Sequence, residues 1–248
     1  MKRIVILLLM ASLVCSAEAK KKKEETPNPD PKTWITKLKW SNPEKTDIAS
    51  VNSFYAQGDT IYKHLNDLAS DMTFYDVKKI VNTTTGDTLV AVVDDQGNIR
   101  GSKAAFNQYV QAGKIAFTIG QDIISGLTRA KAIKKDWNSL VKGDILKNIS
   151  QGVGLGKAIK EMTVMQYVVS RDLIKGFATQ KGKIEALINH RGSPYDPSLV
   201  NLPELSSDDD VLAKSDQEIL DGLETAQKED ESFVSEHGSS IFDRPDDN

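Results

Sequence analysis

Residues 150–161 read SQGVGLGKAIKE, three alternating glycines followed by a lysine, the residue types that cradle a phosphate. The spacing does not complete that chemistry. A P-loop needs glycine five positions before its Gly-Lys pair and Ser or Thr after it, and Gln151 and Ala158 stand there instead. A dinucleotide fingerprint needs a glycine where Lys157 stands, and both motifs need a preceding strand. The preceding KGDILKNIS has helical spacing at Ile145 and Ile149. Gly152, Gly154 and Gly156 are therefore expected to break a long helical run, as a hinge or turn, with Lys157 opening the next helix.

The remaining candidates are weaker. His64, Asp67 and Asp71 share a helix face at i, i+3, i+7, a pattern that suits a metal but also arises on any soluble helix surface. His190 is expected as a helix-end cation and His237 in the tail. Asp94-Asp95-Gln96-Gly97-Asn98 imitates a calcium loop, yet the twelfth position holds Ala105 rather than Glu, so a hairpin turn is expected. Asp172, in VVSRDLIKG, is the carboxylate nearest to an apolar setting, and Arg171 beside it with the helical frame points to an exposed or ion-paired residue. Asn82-Thr83-Thr84 and Asn148-Ile149-Ser150 fit the N-glycosylation pattern, which matters only in a eukaryotic host. No catalytic residue, metal ligand or cofactor site is assigned from these patterns, and the chain is expected to be non-enzymatic.

The amino terminus speaks for export. Lys2 and Arg3, the apolar run Ile4 to Val14 and the small residues Ala17 and Ala19 make a signal peptide over 1–19, cut after Ala19. Lipidation at the single cysteine, Cys15, is disfavoured by Val14 before it. A mature chain without cysteine has no disulfide, thiolate metal site or cysteine nucleophile. Residues 20–32, with Lys20 to Lys23 and Pro27, Pro29 and Pro31, are expected as a basic tether, and contact with a membrane surface is the alternative use of its charge. From Asn201 onward fifteen Asp or Glu face three Lys or Arg, a net of −12; with −3 for the whole chain, residues 1–200 carry +9. So moderate a basic balance in an exported chain argues against nucleic acid. Residues 193–248 are expected as an acidic, largely disordered tail with one short helix over about 216–229, opened by the capping-box spacing of Ser215 and Glu218.

Between them, residues 33–192 form the expected domain: mainly α, a helical bundle with a small antiparallel β-meander at about 73–101 packed on it. A helix is expected after Asp47 as N-cap, with Ile48, Val51, Tyr55, Ile61 or Tyr62, Leu65, Leu68 and Met72 on its apolar face. The strands are expected at Thr73–Thr83, Thr88–Val93 and Ile99–Gly101, and the unbroken apolar run of the second predicts cover on both faces. Ser102 is the expected cap of a long helix to about Lys142. Its Ala105, Ala112, Gly113, Gly120 and Gly126 recur near one face and form a small-residue packing seam. A last helix over about 155–189 presents Ile159, Met162, Met165 or Gln166, Val169, Leu173, Phe177 and Ile184 or Leu187, and stops at His190 to Pro194. The functional expectation is a non-enzymatic protein of the periplasm or cell surface that works by binding a protein partner. A membrane-active or envelope-assembly protein with rearranging glycine-rich helices is the alternative, and a carboxylate-dependent hydrolase a second one.

Overall fold

The computed structural model describes residues 27–140, 145–189 and 211–238, with backbone alone at 138, 139 and 145–147. The signal segment, Cys15, the lysine run and the helix stop at 190–194 lie outside the described residues. The described chain is mainly α with a small sheet: α1 Pro31–Trp34, α2 Ala49–Asp71, β1 Tyr75–Asn82, β2 Thr88–Asp94, α3 Ser102–Leu140, α4 Ile145–Val168, a π-helical segment Val169–Lys175, α5 Gly176–Asn189, β3 Val211–Lys214 and α6 Asp216–His237.

The proline-containing stretch does not remain a free tether once it reaches residue 28. Asp30 caps α1 by accepting from the Lys32 amide at 2.9 Å, and Pro31 takes the first helical position, where its missing N–H costs nothing. Trp34 is fully buried and donates its indole N–H to the Pro29 carbonyl at 3.2 Å. Pro29 closes on Gly176, where an added Cβ would lie 2.9 Å from the ring. One buried tryptophan and two buried prolines thus order this end of the expected tether against the bundle.

The α2 apolar face is the expected one: Val51, Tyr55, Ile61, Leu65 and Leu68 are all buried. Its start differs. The N-cap position is Ile48, and Thr46 and Asn52 supply the local bonds: Thr46 Oγ1 accepts the Ile48 amide at 3.1 Å, and Asn52 Nδ2 donates to the Thr46 carbonyl at 2.7 Å. Gly58, costly inside a helix, is explained by Trp40, whose indole lies where a Cβ would be.

β1 and β2 pair antiparallel from Tyr75↔Asp94 to Val81↔Thr88. Their turn uses Gly86 at φ 82° and the Asn82 side chain, which accepts the Thr84 amide at 2.8 Å. The β2 interior is buried throughout, so both its faces are covered as its apolar run requires. The meander's third strand is corrected. Ile99 makes only an isolated bridge to Val93, and β1 pairs instead with β3, in parallel, giving the mixed order β2-β1-β3.

That pairing also corrects the tail. Its helix runs to His237, eight residues past the expected end, because the 3.6-residue pattern brings Ile219 and Phe233 inward among acidic neighbours. Ile219 packs with Ile80, Leu89, Ala91, Val93 and Ile99 in a second core on the outer face of the sheet. The main core lies on the other face, among α2, α3, α4, the π segment and α5. Tyr109 of α3 pins sheet to bundle, accepting the Tyr75 amide at 2.9 Å and donating to the Tyr75 carbonyl at 2.6 Å.

Ser102 does not cap α3. It is the first helical residue, and the amides of Ser102 and Lys103 donate to Asp230 of α6 at 3.2 and 2.8 Å, while the Gly101 amide donates to Glu229 at 2.8 Å. The acidic segment satisfies the free donors of the longest helix from 127 residues away.

Candidate functional site

The glycines of SQGVGLGK do not break the chain. α4 runs unbroken from Ile145 to Val168, so the expected hinge at Gly152, Gly154 and Gly156 is overturned: all three are interior helical positions. Neighbours explain two of them. A Cβ at Gly152 would meet the Trp137 ring at 3.5 Å, and one at Gly154 would meet the Tyr55 hydroxyl at 3.5 Å; at Gly156 nothing lies within 4 Å. Alternating glycines read as a break only if no partner packs on them, and here α2 and α3 do.

Of the α3 seam, Gly126 packs against α4 and Gly120 against the π segment. Ala105, Ala112, Gly120 and Gly126 are buried; a Cβ at Gly126 would lie 2.9 Å from Met162 Sδ, and one at Gly120 3.5 Å from Val169. Gly113 is half-buried and faces nothing within 4 Å.

Asp172 is the most enclosed charged group. Its side chain has no exposure; both carboxylate oxygens accept from Arg171 at 2.7 Å, and Lys37 Nζ stands 3.0 Å away. The Asn28 amide reaches it at 3.4 Å. Burial pushes the carboxyl up, but these donors outweigh it and hold it below the usual range. Arg171 also donates to the Tyr167 hydroxyl at 2.8 Å and lies over the Tyr167 ring. With both oxygens engaged by a cation or amide, the site anchors the amino-terminal segment to the π segment.

His64, Asp67 and Asp71 are exposed, and among the described residues no three His, Asp or Glu gather as a metal site. Asp94 accepts the Gln96 and Asn98 amides at 2.9 Å each, a turn with Gly97 at φ 80°. Asn82 is buried and donates to Asp216 at 2.9 Å, which leaves its amide no access for glycosylation.

Two surfaces remain. One is a cavity of about 510 Å³ lined by the loop 41–46, Tyr55 of α2, and Ser150, Gln151, Gly154, Lys157, Ala158 and Glu161 of α4. Its floor is set by Glu161, buried, which accepts the Ser41 amide at 2.8 Å and the Ser41 hydroxyl. Asn42 on its rim has φ 47°, the one non-glycine residue at positive φ among the described residues. Tyr55 is 4 % exposed, and burial pushes its hydroxyl pKa up. Sequence inspection missed this site because its walls lie about a hundred residues apart in the chain; the one signal was the glycine pattern itself, which thins α4 over Tyr55.

The second surface is an apolar strip on α4. Ile149, Val153, Val164 and Tyr167 are exposed by 50, 62, 38 and 55 %. At 100° per residue they fall within about 60° around the helix and extend along about 27 Å of it. Gly156 and Lys160 share the strip. Phe117 and Ile124 of α3 are also exposed. Among the described residues no helix is long and apolar enough to cross a membrane. Comparison with family models, curated proteins and solved structures found no match to the chain.

Proposed function

We propose that the chain is exported and acts without catalysis, by binding a protein partner in the periplasm or at the cell surface through the outer face of α4. The supporting observation is the strip of Ile149, Val153, Val164 and Tyr167, four large apolar side chains left in solvent on one face of a helix whose opposite face is core. Large apolar side chains aligned on one exposed helix face, in two pairs with Gly156 and Lys160 between them, suit an interaction site. An aromatic residue at one end, Tyr167, gives the strip an anchor of the type that concentrates binding energy. The buried carboxylates support the non-enzymatic part of the reading: Asp172 and Glu161 are each taken up by internal donors, and the other carboxylate among the described residues lining the Glu161 cavity is Glu44, on the exposed rim.

Mature protein beginning at Lys20 would be used to capture partners from envelope fractions, in parallel with a Val153→Lys, Val164→Lys double variant. These positions are exposed, so the variant keeps its melting temperature. The reading expects a partner retained by the native chain and lost by the variant. Equal capture by both would remove the strip from the function. Flotation of the native chain with anionic vesicles, lost in the variant, would instead favour the membrane-active alternative.

A further inference from the structure

Resting on the α4 strip as the binding face, we propose that the outer side of α3 and α4 docks an acidic amphipathic helix of the partner, apolar toward both ends and carboxylate-rich between them. α3 and α4 run antiparallel, with Trp137 at Gly152, Gly126 at Met162 and Gly120 at Val169. α2 lies against Gly126 and Arg129 of α3 and against Gly154 of α4. At 100° per residue those positions are about 120–180° around α3 from Phe117 and Ile124, and about 80–140° around α4 from the strip. Both exposed faces therefore turn away from α2, to one side of the helix pair.

Lysines hold the middle of this side. The antiparallel register sets Lys131 level with Ala158 and Lys135 level with Gly154, beside the stretch of the strip that holds Gly156 and Lys160. Lys131 and Lys135 fall within about 40° of Phe117 and Ile124 around α3. Lys131, Lys135 and Lys160 are exposed and make no hydrogen bond or ion pair among the described residues. No exposed carboxylate of the two helices shares this side among the described residues. Glu161 is buried, and Asp122 and Asp136 sit about 100–140° around α3 from Phe117. The apolar side chains lie toward the ends, Ile149 and Val153 at one, Ile124, Val164 and Tyr167 at the other. Charge complementarity thus selects carboxylates for the middle of the partner, whereas a second copy of this face would set lysine against lysine. Two features favour a helix over a lipid surface. At Gly156, half-buried, nothing lies within 4 Å of an added Cβ, which leaves a notch for the close approach of a partner helix. Tyr167 is held in place before binding: its hydroxyl accepts from Arg171 at 2.8 Å, and the guanidinium lies 4.6 Å from the ring centre. An anchor already fixed loses little freedom on docking.

The mature chain is titrated with two labelled helical peptides of about 20 residues, long enough to cover the strip. Both carry leucines toward each end, and the middle turns hold glutamates in one and lysines in the other. Saturable binding of the glutamate peptide is expected, weakened by high salt, with the lysine peptide about tenfold weaker. A Lys131→Glu, Lys135→Glu, Lys160→Glu variant changes exposed side chains alone, so it should keep its melting temperature and reverse that preference. Gly156→Gln, a larger uncharged side chain in open space, should weaken the glutamate peptide several-fold. No saturation, equal binding of both peptides, a preference unmoved by the triple variant, or indifference to Gly156→Gln would each overturn the proposal. So would anionic vesicles that float the native chain and displace the glutamate peptide. A partner lost by the Val153→Lys, Val164→Lys variant but retained by the triple variant would keep the strip as the binding face and remove only the acidic helix.

Discussion

Gly58 and Gly154 are both glycines inside helices, and the same substitution should move stability in opposite directions. Alanine gains about 1 kcal/mol over glycine in a helix interior. At Gly154 its Cβ finds a 3.5 Å contact, so Gly154→Ala should raise the thermal midpoint by a few degrees. At Gly58 it would enter the Trp40 indole, and overpacking of this kind costs about 1–3 kcal/mol, so Gly58→Ala should lower the midpoint in the same calorimetric scan. Asp172 carries a different kind of prediction. Asp172→Asn leaves Arg171 and Lys37 without their countercharge at a buried point and should cost about 3 kcal/mol in urea unfolding at pH 7. Because the folded carboxyl titrates below its unfolded value of about 4, its contribution is complete above pH 4 and is lost as the pH falls through the folded value. The gap between native chain and Asp172→Asn should therefore close as the pH is lowered below 4; a gap that stays constant would refute the ion-pair account.

At the scale of elements, the start of α3 depends on α6. The amides of Ser102 and Lys103 end on Asp230, and Arg100 and the Gly101 amide end on Glu229. Asp230→Ala removes a capping carboxylate from a helix N-terminus and should cost about 1–2 kcal/mol in urea-midpoint measurements. Glu231→Ala, one residue along and bonded only within its own helix to Gln227, is the control and should change the midpoint by less than about 0.5 kcal/mol. An equal loss from both would mean that helix content, and not the cap, sets the effect. The same dependence explains why Ser102 looked like a cap in the sequence: a serine at that place is a good local choice, and a better anion arrives from a distant segment.

For the whole molecule, the acidic segment closes the structure. β3 covers the free edge of β1, and Ile219 seals a core that otherwise presents Ile80, Leu89, Ala91, Val93 and Ile99 to water. Burying one isoleucine is worth about 1.5–3 kcal/mol. Deleting residues 211–248 should accordingly lower the melting temperature and expose dye-binding apolar surface at room temperature, where a detached tail would leave both unchanged. A bare β1 edge would also invite association between copies, visible as a rise in oligomer on size exclusion.

What the sequence determined by itself was periodic and local. The 3.6-residue pattern located the buried faces of α2, α3 and α4 to α5, and the fully apolar β2 announced cover on both sides, because these patterns are written within each segment. The turns at Gly86 and Gly97 were equally local, since left-handed backbone selects glycine. Only the tertiary structure decided the rest. Whether Gly154 breaks α4 depends on Tyr55, whether the acidic segment is ordered depends on four apolar residues of the sheet and Ile99, and what caps α3 depends on Asp230. Each is a contact between residues about a hundred or more apart, and their free energy belongs to the folded arrangement, so no short window of the chain contains it.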